Sequence, residues 1–248
     1  MQPTGHTTNE DDARPGGTGP DRPWFTCLVP MAVYSLAGIF EPAATGGGVA
    51  AAVGLAPSAY PQVYLVRLVA TAALLAAAWP AIRSWIGRPT WWPPLLGLAL
   101  AVPWIVLADL QRQAGWGLSG RAGFNPLAHF TAEPALAWAF LAVRWLGLVV
   151  IVPIVEELFL RGFLMRFAVE EEFWRVPFGT LVPAAAIACA VYAVGSHPAE
   201  AVAAVGWFAI VSGIALATRQ PIDCMLAHAA TNLAIGGYVL ATGNWWLM

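Results

Sequence analysis

The chain has 248 residues, 59% of them hydrophobic and only 10% charged, with a mean hydropathy of +0.66. A soluble domain carries about 25% charged residues, so this composition excludes a water-facing surface and makes the bilayer the solvent. A net charge of −2 gives no basis for nucleic-acid binding, and all 12 basic residues are arginine.

The polar, Gly/Pro-rich stretch Met1 to Pro23 reads as a disordered cytoplasmic tail. It lacks a basic n-region followed by an apolar core, so it is not a cleavable signal peptide, and the first span serves as its own insertion signal. A spanning helix needs about 20 apolar residues. The expected spans are Trp24–Phe40, Gln62–Ile82, Pro93–Leu107, a long helix from Pro134 to Val169, Thr180–Ser196, Ala201–Thr218 and Met225–Thr242. This predicts an all-α, polytopic transmembrane bundle of about seven spans. Residues 24–133 hold the first three helices and close with a polar loop, Gln111 to Glu133, that precedes the fourth.

Within the fourth helix Thr131 is the expected cap and Pro153 the expected kink, against the carbonyl of Val149. The charged segment Glu170 to Arg175 is expected to be a helix lying on the membrane surface. Gly206 and Gly213, one heptad apart, suit close packing between helices. Cys27, Cys189 and Cys224 have no CxxC spacing and read as small buried apolar residues.

Arginines orient the chain. With the N-terminus inside, the inner segments hold Arg14, Arg22, Arg83, Arg88, Arg161, Arg166, Arg175 and Arg219, while the outer loops hold Arg112 and Arg121. Arg67 and Arg144 lie near outer span ends, from which they are expected to snorkel outward. The N-terminus is therefore expected in the cytoplasm and the C-terminus outside.

Ionisable residues inside a membrane are costly, and each is a functional candidate. In Val155-Glu156-Glu157-Leu158-Phe159-Leu160-Arg161, Glu157 and Arg161 are helical i,i+4 neighbours and can pair. Glu156 is rotated about 100° away and is left to face a cavity, where a carboxylate suits a general base. A salt-bridged helix end at the interface is the alternative. His228 and Asn232 are also i,i+4 and share a face; together they can hold the oxygen of a tetrahedral intermediate, or else glue helices together. His197, between Ser196 and Pro198, stands at a helix end. His6 and His129 lie in polar segments and carry no signal.

These elements, in this order, resemble the CAAX protease and bacteriocin-processing family. Its marks are Glu-Glu-x-x-x-Arg, then Phe-x-x-x-His, then His-x-x-x-Asn. The first is complete at Glu156, Glu157 and Arg161, and the third at His228 and Asn232. In the second, His197 is present but Ala193 stands where the aromatic is expected, with Tyr192 one residue away. The resemblance covers Arg144 to Met248. Within the family, the stretches VPIVEELFLRGFLMRF, LAHAATNL and YVLATGNWW resemble the CAAX-protease-related proteins that accompany exosortase systems in bacteria.

The resemblance implies an intramembrane endopeptidase in a bacterial inner membrane, with residues 134–248 as its catalytic region. Glu156 with His197 would activate a water, His228 and Asn232 would stabilise the oxyanion, and Glu157 with Arg161 would hold the helix. It also implies a glutamate-dependent mechanism without metal or other cofactor. The partners implied are the lipid bilayer, a peptide or protein substrate and exosortase-system components. A zinc reading stays open, because Glu156, His197 and His228 are legal ligands, although no HExxH is present. The non-catalytic alternative is a membrane scaffold or immunity protein that keeps the fold. A small transporter is disfavoured by the lack of an inverted repeat. One feature is at odds with the site: simple span placement puts Glu156 and Asn232 near mid-membrane but His197 at the outer end of its span.

Overall fold

The computed structural model describes residues 23–43, 48–116 and 123–248. The tail expected over Met1 to Pro23 lies outside the described residues except for Pro23, as do Gly46, Gly47 and Arg121. Among the described residues there is no strand, and seven helices carry the architecture: α1 (Pro23–Gly38), α2 (Tyr60–Trp85), α3 (Trp92–Gln113), α4 (Pro134–Phe167), α5 (Pro183–Ser196), α6 (Ala201–Thr218) and α7 (Pro221–Thr242). Five of these, α2, α3, α4, α6 and α7, are long and apolar enough to cross a membrane, while α1 and α5 are shorter apolar helices of 16 and 14 residues. The chain is an all-α, multi-pass membrane bundle.

The helix starts follow from proline. Pro23, Pro61, Pro93, Pro134, Pro183 and Pro221 each stand in a first turn, where the missing N–H costs nothing and φ is already helical. The residue preceding α4 is Glu133, with no side-chain cap, so Thr131 does not have the capping role expected of it. α6 and α7 end on left-handed residues, Arg219 (φ 54) and Gly243 (φ 74), which turn the chain out of the helix.

α3 packs most closely on α7, at a point where both backbones touch. A Cβ on Gly97 would collide with the carbonyl of Ala227, and the Thr231 hydroxyl lies 2.7 Å from the Gly97 carbonyl. Gly147 makes a similar approach to the Tyr64 hydroxyl. Gly206 and Gly213, by contrast, face open space and mediate no helix contact; spacing alone does not say which helix face is covered. Asp223 in the first turn of α7 accepts from the Thr90 amide (2.7 Å) and hydroxyl (2.9 Å), tying the α2–α3 connection to α7.

Further expectations need correction. The segment Glu170 to Arg175 is a turn with a single 3-10 stretch, Phe173–Arg175, rather than a surface helix. Phe173 is fully buried, against Trp24 and Phe163, so an aromatic anchor replaces an amphipathic face. Arg67 does not snorkel: it pairs with Glu41 at 2.6 Å, donates to the Tyr34 carbonyl at 2.8 Å and lies over the Tyr34 ring. Arg144 is buried above the rings of Tyr60 and Tyr64.

Candidate active site

α4 positions the paired carboxylates, and it is not a uniform α-helix. Two π-helical stretches, Gly147–Ile151 and Leu158–Leu164, flank the short α-turn Val152–Glu157 that carries Glu156 and Glu157. In a π stretch the amide bonds to the carbonyl five residues back, as Val152 does to Gly147. The next amide in that register would be residue 153, a proline with no N–H. The carbonyl it leaves without a donor is that of Leu148, and the Asn232 amide fills the gap from α7 at 2.8 Å. The proline expected to kink the helix thus sits where the hydrogen-bond ladder widens, and its orphaned acceptor fixes Asn232 in place.

The two carboxylates have different surroundings. Glu157 is buried, with Arg161 on Oε2 and the His228 Nδ1 on Oε1 at 3.1 Å. Arg161 also donates to the Phe208 carbonyl at 3.0 Å and lies over the Phe208 ring, so α4 is clasped to α6. The pairing of Glu157 with Arg161 matches the expectation from their spacing; the link to His228 adds to it. Because a carboxylate only accepts, the His228 Nδ1 carries the hydrogen. Its Nε2 then points toward Glu156, 3.9 Å from Oε2, too far for a hydrogen bond. That Glu156 oxygen is buried with no hydrogen-bond partner among the described residues.

Glu156, His197, His228 and Asn232 line one cavity of about 570 Å³. Clefts of about 300–1,000 Å³ accommodate small ligands. His197 lines this cavity from just past the last turn of α5, a helix of 14 residues, about 21 Å long against a hydrocarbon core of about 30 Å. The Ser196 hydroxyl donates to the Tyr192 carbonyl at 2.7 Å and lies 2.8 Å from the His197 Nδ1.

Some site residues give no signal in the sequence. The Trp104 ring packs edge-on against His197 at 5.4 Å and Phe208 lies at 5.7 Å from it, supplying aromatic contact that the buried Ala193 does not. Tyr192 instead packs between Phe159 and Phe208. Trp207 packs edge-to-face against His228 at 4.6 Å and donates to Thr231 at 3.0 Å. Arg67 and Tyr34 also line the cavity. Nothing in the spacing of these residues brings them together; only the bundle does. Among the described residues, no three His, Cys, Asp or Glu side chains are grouped so as to hold a metal ion, and the three cysteines are buried and free.

Residues 135–234 match the family model for type II CAAX prenyl endopeptidase Rce1-like proteins. The matched region runs from the start of α4 into α7 and contains all six candidate residues. No curated protein and no solved structure matches the chain. The family match implies a protease acting in the membrane.

Proposed function

We propose that the chain is an intramembrane endopeptidase that hydrolyses a peptide bond of a membrane-tethered precursor through a water activated by Glu156. The observation that carries this reading is the Glu156 carboxylate: one oxygen is buried without a hydrogen-bond partner among the described residues, and it faces a cavity that His197 and His228 also line. Such an oxygen is poised to take a proton from a water held between Glu156 and His197. The hydroxide adds to the scissile carbonyl carbon. The resulting oxyanion accepts hydrogen bonds from Asn232 and His228. Collapse breaks the C–N bond, and the proton on Glu156 passes to the leaving amine. Glu157 and Arg161 do not touch the substrate; they hold His228 and the helix. We take residues 134–248 as the catalytic region and exosortase-system components as its setting in a bacterial inner membrane.

The test is cleavage of a tethered precursor by purified protein, counted per molecule. Glu156→Gln keeps size and polarity but removes the base, so the rate should fall about 10²–10⁴-fold while membrane abundance stays at the wild-type level. Phenanthroline should leave cleavage intact. Loss of activity with the chelator, restored by zinc, would replace the water-polarising carboxylate with a metal. Wild-type cleavage by Glu156→Gln would favour the scaffold reading.

A further inference from the structure

A second cavity, of about 450 Å³, opens at the other end of the bundle, between the starts of α1 and α7, the last turns of α2 and the segment 173–178. Three arginines line it, Arg166, Arg175 and Arg219, and none of its described lining residues is acidic. Arg166 donates to the carbonyls of Val176 (2.8 Å), Gly162 (3.0 Å) and Trp174 (3.0 Å). These bonds take three of its five N–H donors and fix its position, but carbonyls do not neutralise its charge. Arg175 pairs with Glu172 at 2.9 Å with both side chains exposed, a contact that solvent screens to small value. Arg219 is the one described non-glycine residue with positive φ, which sets its exposed side chain beside Pro221 at the head of α7. The N-termini of α1 and α7, at Pro23 and Pro221, add the positive ends of two helix dipoles. The remaining walls include four aromatic side chains, Trp85, Phe173, Trp174 and Phe178.

We propose that this cavity binds the phosphate headgroup of an anionic phospholipid. The phosphate sits among Arg166, Arg175 and Arg219, and the glycerol and upper acyl chains lie along Trp85 and Phe178. A free phosphate would satisfy the arginines but leave the aromatic walls without an occupant. A lipid satisfies both, because tryptophan side chains sit naturally at headgroup depth. A basic pocket between transmembrane helices at a membrane face is suited to such a headgroup. The bound lipid would brace the segment 168–182, which joins α4 to α5.

The test is lipid titration of the purified full-length protein in detergent, read by native mass spectrometry, with phosphatidylglycerol, phosphatidylcholine and inorganic phosphate as probes. Phosphatidylglycerol should bind and phosphatidylcholine should not. Inorganic phosphate at millimolar concentration should fail to displace the lipid. Each arginine removed should weaken binding about fivefold. Arg175→Gln alone, at an exposed position, tests this without risk to folding. Arg175→Gln with Arg219→Asn, which suits the left-handed backbone, should weaken it about 25-fold. Arg83→Gln with Arg88→Gln, arginines at the same end but outside the cavity, should change nothing. Equal binding of phosphatidylcholine, or an equal loss in the Arg83/Arg88 control, would overturn the site in favour of diffuse attraction. Displacement by inorganic phosphate would overturn the lipid as its occupant.

Discussion

Glu157 has both carboxylate oxygens engaged, one by Arg161 and the other by His228, whereas Glu156 has an oxygen with no hydrogen-bond partner among the described residues. Adjacent and chemically identical, the two differ in surroundings through helix rotation, and the proposed roles follow from that difference. Substitution should therefore separate them experimentally. Glu157→Gln leaves Arg161, only 2% exposed, without its counter-charge, and stranding one member of a buried pair costs roughly 3–5 kcal/mol. That variant should accumulate poorly and unfold at lower temperature. Adding Arg161→Gln removes the stranded charge and should restore abundance in part. Cleavage per molecule should stay below wild type in the double variant, because His228 then leans on a neutral amide. The readouts are membrane abundance by blot and cleavage per molecule. A stable but inactive Glu157→Gln beside a normally active Glu156→Gln would exchange the two assignments. At this scale the sequence was informative for the i,i+4 pair, which depends only on local geometry. It was silent on the bond from Glu157 to His228, 71 residues away, because that contact exists only once α4 and α7 are packed.

The elements show the same division. Six helix starts are written in the sequence as prolines, whereas the π stretches of α4 are not, since no residue type demands them. Pro153 and Asn232 nevertheless form a legible pair in retrospect: one residue orphans the Leu148 carbonyl and the other satisfies it. Asn232 thus has a structural duty besides the proposed catalytic one, and the two can be told apart. Asn232→Ala should destabilise the protein by about 1–3 kcal/mol, the cost of an unsatisfied buried acceptor, and should also slow cleavage. Adding Pro153→Ala supplies an N–H at the position that lacked one. Thermal unfolding of the double variant should return toward the wild-type temperature while cleavage stays low. Recovery of both together would mean that Asn232 only holds the helix; recovery of neither would mean that the Leu148 carbonyl is not the group at issue. Close approach of helices was harder to read. Gly206 and Gly213 have the spacing of a packing motif but face open space, while Gly97, with no partner glycine to announce it, takes the α3–α7 contact.

Across the whole molecule, charge and cavity are polarised in opposite directions. The ends of α2, α4 and α6 and the starts of α1, α3, α5 and α7 share one face, where Arg83, Arg88, Arg166, Arg175 and Arg219 are found. The opposite face has Arg112 as its one described arginine outside the cavity and the α4 interior, lying over the Trp246 ring. The cavity that Glu156 lines reaches that arginine-poor face, since Pro198, Leu247 and Met248 line it beyond the ends of α5 and α7. Composition could predict the polarity of charge, because arginine is retained on the cytoplasmic side. It could not predict which way the cavity opens, because Pro198, Leu247 and Met248 meet there only once the bundle is packed. The two combine into one topological expectation, that peptide substrate enters from the side opposite the cytoplasm. A phosphatase fused after Arg175 should be inactive and one fused after Gly243 active. Intact spheroplasts should then cleave a membrane-impermeant tethered peptide added from outside, and Glu156→Gln spheroplasts should not. An active phosphatase after Arg175 would invert the bundle and move substrate entry to the cytoplasm. Correct fusions without external cleavage would leave the orientation standing and show that the cavity is entered from within the bilayer, between helices.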